Sequence, residues 1–175
     1  MTYSSALYQH ENQSLADAQQ AKYDRICELA GLKPGETVLE VGCGWGGFAE
    51  IAAGKYGCHV DGVTLSHEQL AYARQRLSDA GLAERAVMRL RDYRHQDGQY
   101  DHLVSIEMFE AVGEENWATY FDMVRQRLRP GGKAVLQIIT IAEDRFDSYR
   151  SGADFIQRYI FPGGMLPSPS ALEKA

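Results

Sequence analysis

The chain has 175 residues, of which 45% are hydrophobic, and its net charge is −6 at pH 7. This length supports one sizeable core, so we expect a single globular domain. An acidic chain without clustered Lys and Arg lacks the electrostatic footprint of a nucleic-acid binder, which excludes nucleic acid as a partner.

Metal and disulfide chemistry are also not expected. Cys27, Cys43 and Cys58 form no CxxC pair, which favours a reducing compartment without a disulfide framework or a zinc site. The five histidines show no metal-ligand spacing and are expected on the surface or in loops. No apolar run approaches the roughly 20 residues of a membrane span, and no secretory signal opens the chain. The expected location is therefore cytoplasmic.

Helix and strand patterns alternate along the chain. Ser14 and Gly31 are the start and stop signals of the first helix, and Ser66 with Gln69 forms a capping-box pattern before a later one. In chain order we predict a helix at 14–30, a strand at 37–41, a loop at 42–47, a helix at 48–55, a strand at 59–64, a helix from 67 to near Gly81, strands at 86–90 and 102–106, a helix at 117–128 and a strand at 133–141. This alternation predicts an α/β fold with a doubly wound, mostly parallel sheet.

The loop between the first strand and its helix carries three glycines, Gly42, Gly44 and Gly46. Glycine lets the backbone turn tightly and approach a ligand closely. A Walker loop would end in Gly-Lys-Ser/Thr and a dinucleotide loop would read GxGxxG, and neither pattern is present. The GxGxG spacing resembles motif I of the class I methyltransferases that use S-adenosylmethionine (SAM). The alternative is a tight turn that binds nothing.

Polar residues follow the second and third strands. Thr64, Leu65, Ser66 and Gln69 stand where related folds place an acidic residue for the ribose hydroxyls, and hydroxyl and amide groups can also bind a ribose. Ser66 is also a helix cap, and the two roles are compatible. Asp92, after the third strand, is a candidate partner of an adenine amino group, with an ordinary loop position as the alternative.

Five segments together resemble those of one family, the cyclopropane-fatty-acyl-phospholipid synthases and the related mycolic acid methyltransferases. The segments are VLEVGCGWGGFA, GVTLSHEQLAYA, YDHLVSIEMFEAVGEENWATYF, LRPGGKAVLQ and FIQRYIFPGGMLPS. The resemblance runs from Tyr3 to the last residues. It implies a Rossmann-like class I methyltransferase that uses SAM, releases S-adenosylhomocysteine (SAH), and transfers a methyl or methylene group to the double bond of an unsaturated phospholipid acyl chain.

The resemblance also divides the chain and assigns its cofactor contacts. Residues 1–35 become an N-terminal segment and helix, 36–141 the cofactor-binding core, and 142–175 an acceptor-side segment. The residues predicted to contact the cofactor are Tyr3, Ser4, Glu40, Val41, Gly42, Cys43, Gly44, Gly46, Thr64, Leu65, Ser66, Gln69, Asp92 and Tyr93.

For catalysis, the resemblance implies Glu110 first, with Glu107 as a weaker rival. In the family a bicarbonate ion takes a proton inside a cage of Cys, Glu, His and Tyr side chains. Here Ser5 and Gln137 stand at the Cys and His positions, and Ala111 replaces a further common His. Ser and Gln can hydrogen-bond an anion, but a neutral Gln cannot shuttle a proton as His does. The departures therefore argue against ring closure more than against cofactor binding.

Three questions stay open at this point. The aromatic and aliphatic residues between Phe155 and Leu166 fit an acyl chain and fit a core equally well. The last two strands usual for this fold are not found, which would leave an unpaired sheet edge and the option of a homodimer or a truncated protein. The alternatives to lipid methylation are methyl transfer to a small molecule and a cofactor-binding module without turnover, and a lipid acceptor would bring peripheral membrane contact.

Overall fold

The computed structural model describes residues 1–152, 155–159 and 163–175. The strands are β1 (Thr37–Val41), β2 (His59–Thr64), β3 (Ala86–Leu90), β4 (Tyr100–Ile106) and β5 (Leu128–Gln137). The α-helices are α1 (Leu15–Ala30), α2 (Gly47–Gly54), α3 (His67–Asp79), α4 (Trp117–Arg127), α5 (Glu143–Arg150), α6 (Phe155–Tyr159) and α7 (Pro169–Lys174), and short 3-10 helices cover Tyr93–His95, Phe109–Ala111 and Glu114–Asn116.

The five strands form one sheet in the order β3-β2-β1-β4-β5, and all four strand pairs are parallel. Neighbouring residues of β1 face opposite ways: Val38 belongs to the core beneath α1, α2 and α3, whereas Leu39 belongs to the core beneath α4. Both residues are fully buried. A strand buried on both faces is typical of a doubly wound sheet, so the predicted fold class is confirmed.

Local signals set the first half of the chain as predicted. The Ser14 side chain accepts a hydrogen bond from the Asp17 amide at the start of α1, and Gly31 ends that helix in the left-handed conformation. Strands β1, β2 and β3 have the predicted bounds, and Ser66 caps α3. Helix α2 begins one residue earlier than predicted, at Gly47, and α4 ends one residue earlier, at Arg127.

The fifth strand is present, but its predicted bounds, 133–141, were wrong, since β5 runs from Leu128 to Gln137. Tyr100 and His102 of β4 pair with Leu128 and Lys133 of β5, so the stretch expected to be an entry turn lies inside the strand as a bulge. Gly131 supplies the left-handed backbone (φ +82°) that the bulge needs. The strand ends at Gln137, and the Ile139 amide then donates a hydrogen bond to the Glu110 carboxylate.

One histidine also departs from its prediction. His102 is buried in β4, and its Nε2 lies 2.9 Å from Oε2 of Glu36. Among the described residues no helix is both long and apolar enough to cross a membrane.

The topology brings three strand ends together. Val41 pairs with Val63 on one side and with Ser105 on the other, so the loops that follow β1, β2 and β4 leave the sheet side by side. Open α/β sheets bind ligands at this edge, where the chain switches direction between β1 and β4.

Candidate active site

The glycine loop follows β1 at this edge. Gly42 donates a 3.0 Å backbone hydrogen bond to the Val63 carbonyl, which ties the loop to the end of β2. Gly42, Gly44 and Gly46 all have positive φ angles. A Cβ atom on Gly42 would lie 2.7 Å from Cγ of Met108, so a side chain is excluded there on both counts. The loop presents bare backbone to the space beside it.

Two adjoining cavities lie against the glycine loop. The smaller one is lined, among others, by the predicted cofactor residues Tyr3, Ser4, Glu40, Gly42, Cys43 and Gly44. The larger one, of about 230 Å³, is lined by Tyr3, Val41, Gly42, Thr64, Leu65, Gln69 and Tyr93, together with Ile106, Glu107, Met108 and Val112. Tyr3, Gly42 and Ile106 belong to both linings, so the two cavities form one groove with a polar end and a largely apolar end.

Glu40 supplies the carboxyl group in the lining of the smaller cavity. The residue is 3% exposed, and burial raises the pKa of its carboxyl well above the ordinary value, with the cations of Arg76 and Lys22 opposing that rise. Its Oε2 atom has no hydrogen-bond partner among the described residues. A buried carboxyl oxygen without a partner is suited to a ligand that carries an ammonium group.

The end of β2 forms the polar part of the larger cavity. The Thr64 hydroxyl donates a 2.7 Å hydrogen bond to Oε1 of Gln69, and Nε2 of Gln69 donates one of 3.3 Å to the Tyr3 hydroxyl. Ser66 is the helix cap, since its Oγ accepts from the Gln69 amide at 3.2 Å. Thr64, Leu65 and Gln69 therefore face the cavity, while Ser66 holds the helix that carries Gln69.

Asp92 caps a short helix, whereas its neighbour Tyr93 faces the larger cavity. Both carboxylate oxygens of Asp92 accept hydrogen bonds from the Arg94 guanidinium, and Oδ1 also caps the short helix that starts at Tyr93. Arg94 lowers the Asp92 pKa. In the described structure Tyr93 lines the larger cavity and Asp92 does not, so contact between Asp92 and an adenine stays a prediction.

The N-terminal segment lines the groove and is held by two side chains of α1 that were not predicted from the sequence. Nε2 of Gln19 donates to the Ser4 carbonyl at 2.7 Å, and Nζ of Lys22 donates to the Ser4 hydroxyl at 2.6 Å. Lys22 is 4% exposed, and burial lowers its pKa to about 8. The sequence contained a signal for this contact, since Lys22 lies between Ala18 and Ile26 on the apolar stripe of α1. A charged group on a buried helix face needs a partner.

Two glutamates follow β4, and they differ in their surroundings. Oε1 of Glu107 accepts 2.8 Å hydrogen bonds from the Ser5 amide and from Nε2 of Gln137, and Glu107 lines the larger cavity. Oε1 of Glu110 accepts from the Ile139 amide, and its buried Oε2 has no partner among the described residues. Burial and the charge of Glu107 raise the Glu110 pKa against the Ile139 hydrogen bond.

The predicted catalytic residues are thus brought close together with Glu107 at their centre. Ser5 and Gln137 both bind Glu107, and Ser5 contributes its backbone amide to that contact. The catalytic roles of Glu110, Ser5 and Gln137 stay predictions.

Cys43 is a packing residue within the glycine loop. Burial raises the pKa of its thiol, which disfavours the thiolate that a nucleophile needs. The described residues contain no cluster of His, Cys, Asp and Glu suited to a metal ion.

The apolar stretch near the C-terminus divides between surface and core. Phe155 and Tyr159 are 66% and 69% exposed, whereas Met165 packs against the core beneath α4. Ile160 and Phe161 lie outside the described residues.

The groove fits SAM on the chemistry of its walls. The unpartnered Glu40 carboxyl suits the amino group of the methionine part, the bare glycine loop allows close approach, and Thr64 with Gln69 suits the ribose hydroxyls. The parallel sheet, the loop and this groove define the fold of a SAM-dependent methyltransferase.

Comparison with known proteins gives the family. The family model described as mycolic acid cyclopropane synthetase matches residues 1–175. The tuberculostearic acid methyltransferase UfaA1 of Mycobacterium tuberculosis is 48% identical over 158 residues, covering 90% of this chain and 37% of that protein. The cyclopropane-fatty-acyl-phospholipid synthase of Escherichia coli is 43% identical over 168 residues, covering 96% of this chain and 42% of that protein.

A solved structure supports the same assignment. The mycolic acid cyclopropane synthase CmaA1 complexed with SAH and CTAB superposes with a TM-score of 0.90 at 32% identity, covering 99% of this chain and 64% of that one. The chain belongs to the mycolic acid cyclopropane synthetase family, and the resemblance seen in the sequence is confirmed. It spans about two fifths of the length of these two curated relatives.

Proposed function

We propose that the protein binds SAM in the groove beside the glycine loop and methylates the double bond of an unsaturated phospholipid acyl chain. The observation that carries this proposal is the coincidence of a family match over residues 1–175 with a groove whose polar end suits the cofactor and whose other end is apolar. The names of the relatives, a tuberculostearic acid methyltransferase and a fatty-acyl-phospholipid synthase, support a lipid acceptor.

The chain's own residues would hold the reactants rather than activate a nucleophile. SAM supplies an electrophilic methyl group, so the protein must align it with the acceptor and keep water away. Glu40 would bind the amino group, and Thr64 with Gln69 would bind the ribose. Ile106, Met108 and Val112 make the neighbouring wall apolar, which suits an alkene and excludes water.

Two further hypotheses are alternatives to lipid methylation. Methyl transfer to a small molecule would use the same cofactor site, and a binding module without turnover would keep the cofactor site alone. The altered residues Ser5 and Gln137 argue against ring closure more than against cofactor binding, because neither side chain can shuttle a proton as His does.

The test combines binding with turnover. SAH would be titrated calorimetrically into the purified protein, and SAM would then be supplied with vesicles of a cis-unsaturated phosphatidylethanolamine or its saturated counterpart. We expect SAH binding, and a gain of one CH2 in the unsaturated acyl chains only. Proton NMR of the product would distinguish a cyclopropane from a methylene or methyl branch. Label found only in a small-molecule panel would contradict the lipid acceptor, and binding without any product would favour the binding module.

The proposal also includes a membrane-contact surface and an edge for pairing with a second copy of the chain. Phe155 and Tyr159 are exposed, and their ring centroids lie 5.1 Å apart. We assign this pair to peripheral membrane contact by a cytoplasmic protein. The outer edge of β5 is where a second copy would pair. Vesicle flotation and sedimentation velocity, respectively, test these two points.

A further inference from the structure

Glu107 has an unusual backbone conformation. It is the one non-glycine residue with positive φ (+48°) among the described residues, and it lies directly after β4 on the wall of the larger cavity. A left-handed conformation is unfavourable for a residue with a Cβ atom, and such strained positions cluster at functional sites. The fold keeps a carboxylate at a position where glycine would be easier to accommodate.

The carboxylate is fixed from several directions. Oε1 accepts 2.8 Å hydrogen bonds from the Ser5 amide and the Gln137 side chain, and the Glu107 amide itself donates to the Gln137 carbonyl at 2.8 Å. No described residue donates a hydrogen bond to Oε2. One oxygen is therefore held in place while the other keeps its lone pairs available.

A buried lysine lies near the Glu107 carboxylate. Lys22 lies within electrostatic reach, since the Glu107 charge acts to raise the Lys22 pKa against the effect of burial. Glu110 is the rival carboxylate, but one of its oxygens holds the Ile139 amide and burial raises its pKa, which favours the protonated acid. Glu110 is also absent from the described lining of the larger cavity, whereas Glu107 belongs to it.

We propose that Glu107 is the base that accepts the proton released when the acceptor alkene is methylated. This inference rests on the proposed function and deepens it. Methylation would place the alkene electron pair in a new bond between one alkene carbon and the methyl group. The methyl–sulfur bond of SAM would break, its electron pair would stay on the sulfur of the released SAH, and the other alkene carbon would become electron-deficient. A neighbouring C–H bond then breaks, its electron pair forms the new C–C bond of a ring or a double bond, and the proton moves to the Glu107 carboxylate. The step needs no oxidant, and no bicarbonate, because the protein's own carboxylate receives the proton.

The main test compares Glu107→Gln with Glu110→Gln in buffer depleted of bicarbonate. The glutamine side chain keeps an oxygen that accepts from Ser5 and Gln137 but cannot take up the proton. We expect Glu107→Gln to lower product formation on unsaturated phosphatidylethanolamine vesicles roughly 100-fold or more. We expect Glu110→Gln to lower it much less, and both variants to bind SAH within about twofold of the wild type by calorimetry.

A second variant distinguishes loss of the carboxylate from loss of the folded structure. Glycine tolerates the left-handed backbone, so Glu107→Gly is expected to unfold at the same temperature as the wild type or higher. It would leave a site for an anion, and added bicarbonate or formate should restore part of the activity. NMR with carbon-labelled bicarbonate should detect binding to Glu107→Gly and none to the wild type.

The outcomes distinguish the two proposals. A wild type that methylates lipid while Glu107→Gln stays within about threefold of it would overturn the role of Glu107 alone. A wild type that turns over lipid only when bicarbonate is added would overturn it as well. A wild type that binds SAH but gives no lipid product would overturn the proposed function, and the role of Glu107 with it.

Discussion

The groove is built from two regions that are assembled differently. The glycine-loop region, residues 37–69, is one strand-loop-helix-strand unit followed by the α3 cap, and contacts such as the one between Gly42 and the end of β2 lie within this single segment. The carboxylate region consists of Ser5, Glu107, Glu110 and Gln137, which come from distant segments: the Ser5–Glu107 contact spans 102 residues and the Gln137–Glu107 contact spans 30.

The difference affects how each region responds to change. A local unit forms with little loop-closure entropy, whereas the carboxylate region forms only when the N-terminal segment and the end of β5 are both docked. Substitutions in the first region should therefore act on cofactor binding directly, and those in the second should act through docking and chemistry. The predictions below test this separation, beginning with the largest expected effect.

Gly42→Ala should cause the largest loss. The new Cβ would be strained by the left-handed backbone and would meet Met108 at 2.7 Å, so we expect a loss of roughly 2–5 kcal/mol in unfolding free energy and at least a hundredfold loss of SAH affinity. Gly35→Ala is the matched control, because Gly35 has φ +85° but no heavy atom within 4 Å of its Cβ position. It should cost about 1–2 kcal/mol and leave affinity unchanged. Equal losses in the two variants would contradict a specific role of Gly42 in the groove.

Lys22→Met should change how stability depends on pH. Burial lowers the Lys22 pKa from 10.5 to about 8, while the charges of Glu107 and Glu40 oppose this. Between these two pH values the unfolded chain binds more protons than the folded one, so the contribution of Lys22 to stability rises as pH increases through the window. The change is at most about 3 kcal/mol.

The measurement is urea unfolding of both proteins from pH 7 upwards. Tyr23, whose ring centroid lies 4.5 Å from the Lys22 ammonium, is present in both proteins, so the difference between wild type and variant reports Lys22 together with its coupling to Glu40 and Glu107. We expect the unfolding free energy of the wild type to rise relative to that of the variant as the pH increases from about 8 to 10.5. If the difference in unfolding free energy did not change with pH, burial would not lower the Lys22 pKa in the folded protein.

The two regions also differ in how well the sequence predicts them. Glycine spacing, the cap at Ser66 and the polar residues after β2 are local signals, and each of them led to the right element or cavity wall. The donors to Glu107 could not be predicted, because the Ser5 contact uses a backbone amide that any residue but Pro carries.

The bulge in β5 escaped prediction for a related reason. Pro130, Gly131 and Gly132 together are typical of a turn, and here the pairing of their flanks with β4 keeps them inside the strand. Tertiary pairing overrode a local signal, which is the usual way in which sequence-based boundaries fail.

Glu40→Gln tests the glycine-loop region without disturbing its backbone. The variant keeps the shape of the carboxyl but cannot become a carboxylate when an ammonium group binds beside it, so we expect SAH affinity to fall roughly 10- to 100-fold, the equivalent of one charge-assisted hydrogen bond. Glu36→Gln, at the other end of β1, is the control and should leave affinity unchanged. The check is calorimetric titration of both variants. An unchanged affinity in Glu40→Gln would mean that the buried carboxyl does not meet the ligand.

The smallest effect is expected at Ser5, and it is the sharpest test of how the carboxylate region is assembled. Because the backbone amide holds Glu107, Ser5→Ala should change neither SAH affinity nor product formation by more than about twofold. Ser5→Pro removes that N–H and should lower product formation severalfold while SAH affinity changes less. Rate assays on unsaturated vesicles with parallel titrations would measure both. If Ser5→Ala lowered product formation as much as Ser5→Pro, the Ser5 hydroxyl would be the group that matters for activity. The carboxylate region would then depend on the side chain at this position rather than on docking of the N-terminal backbone.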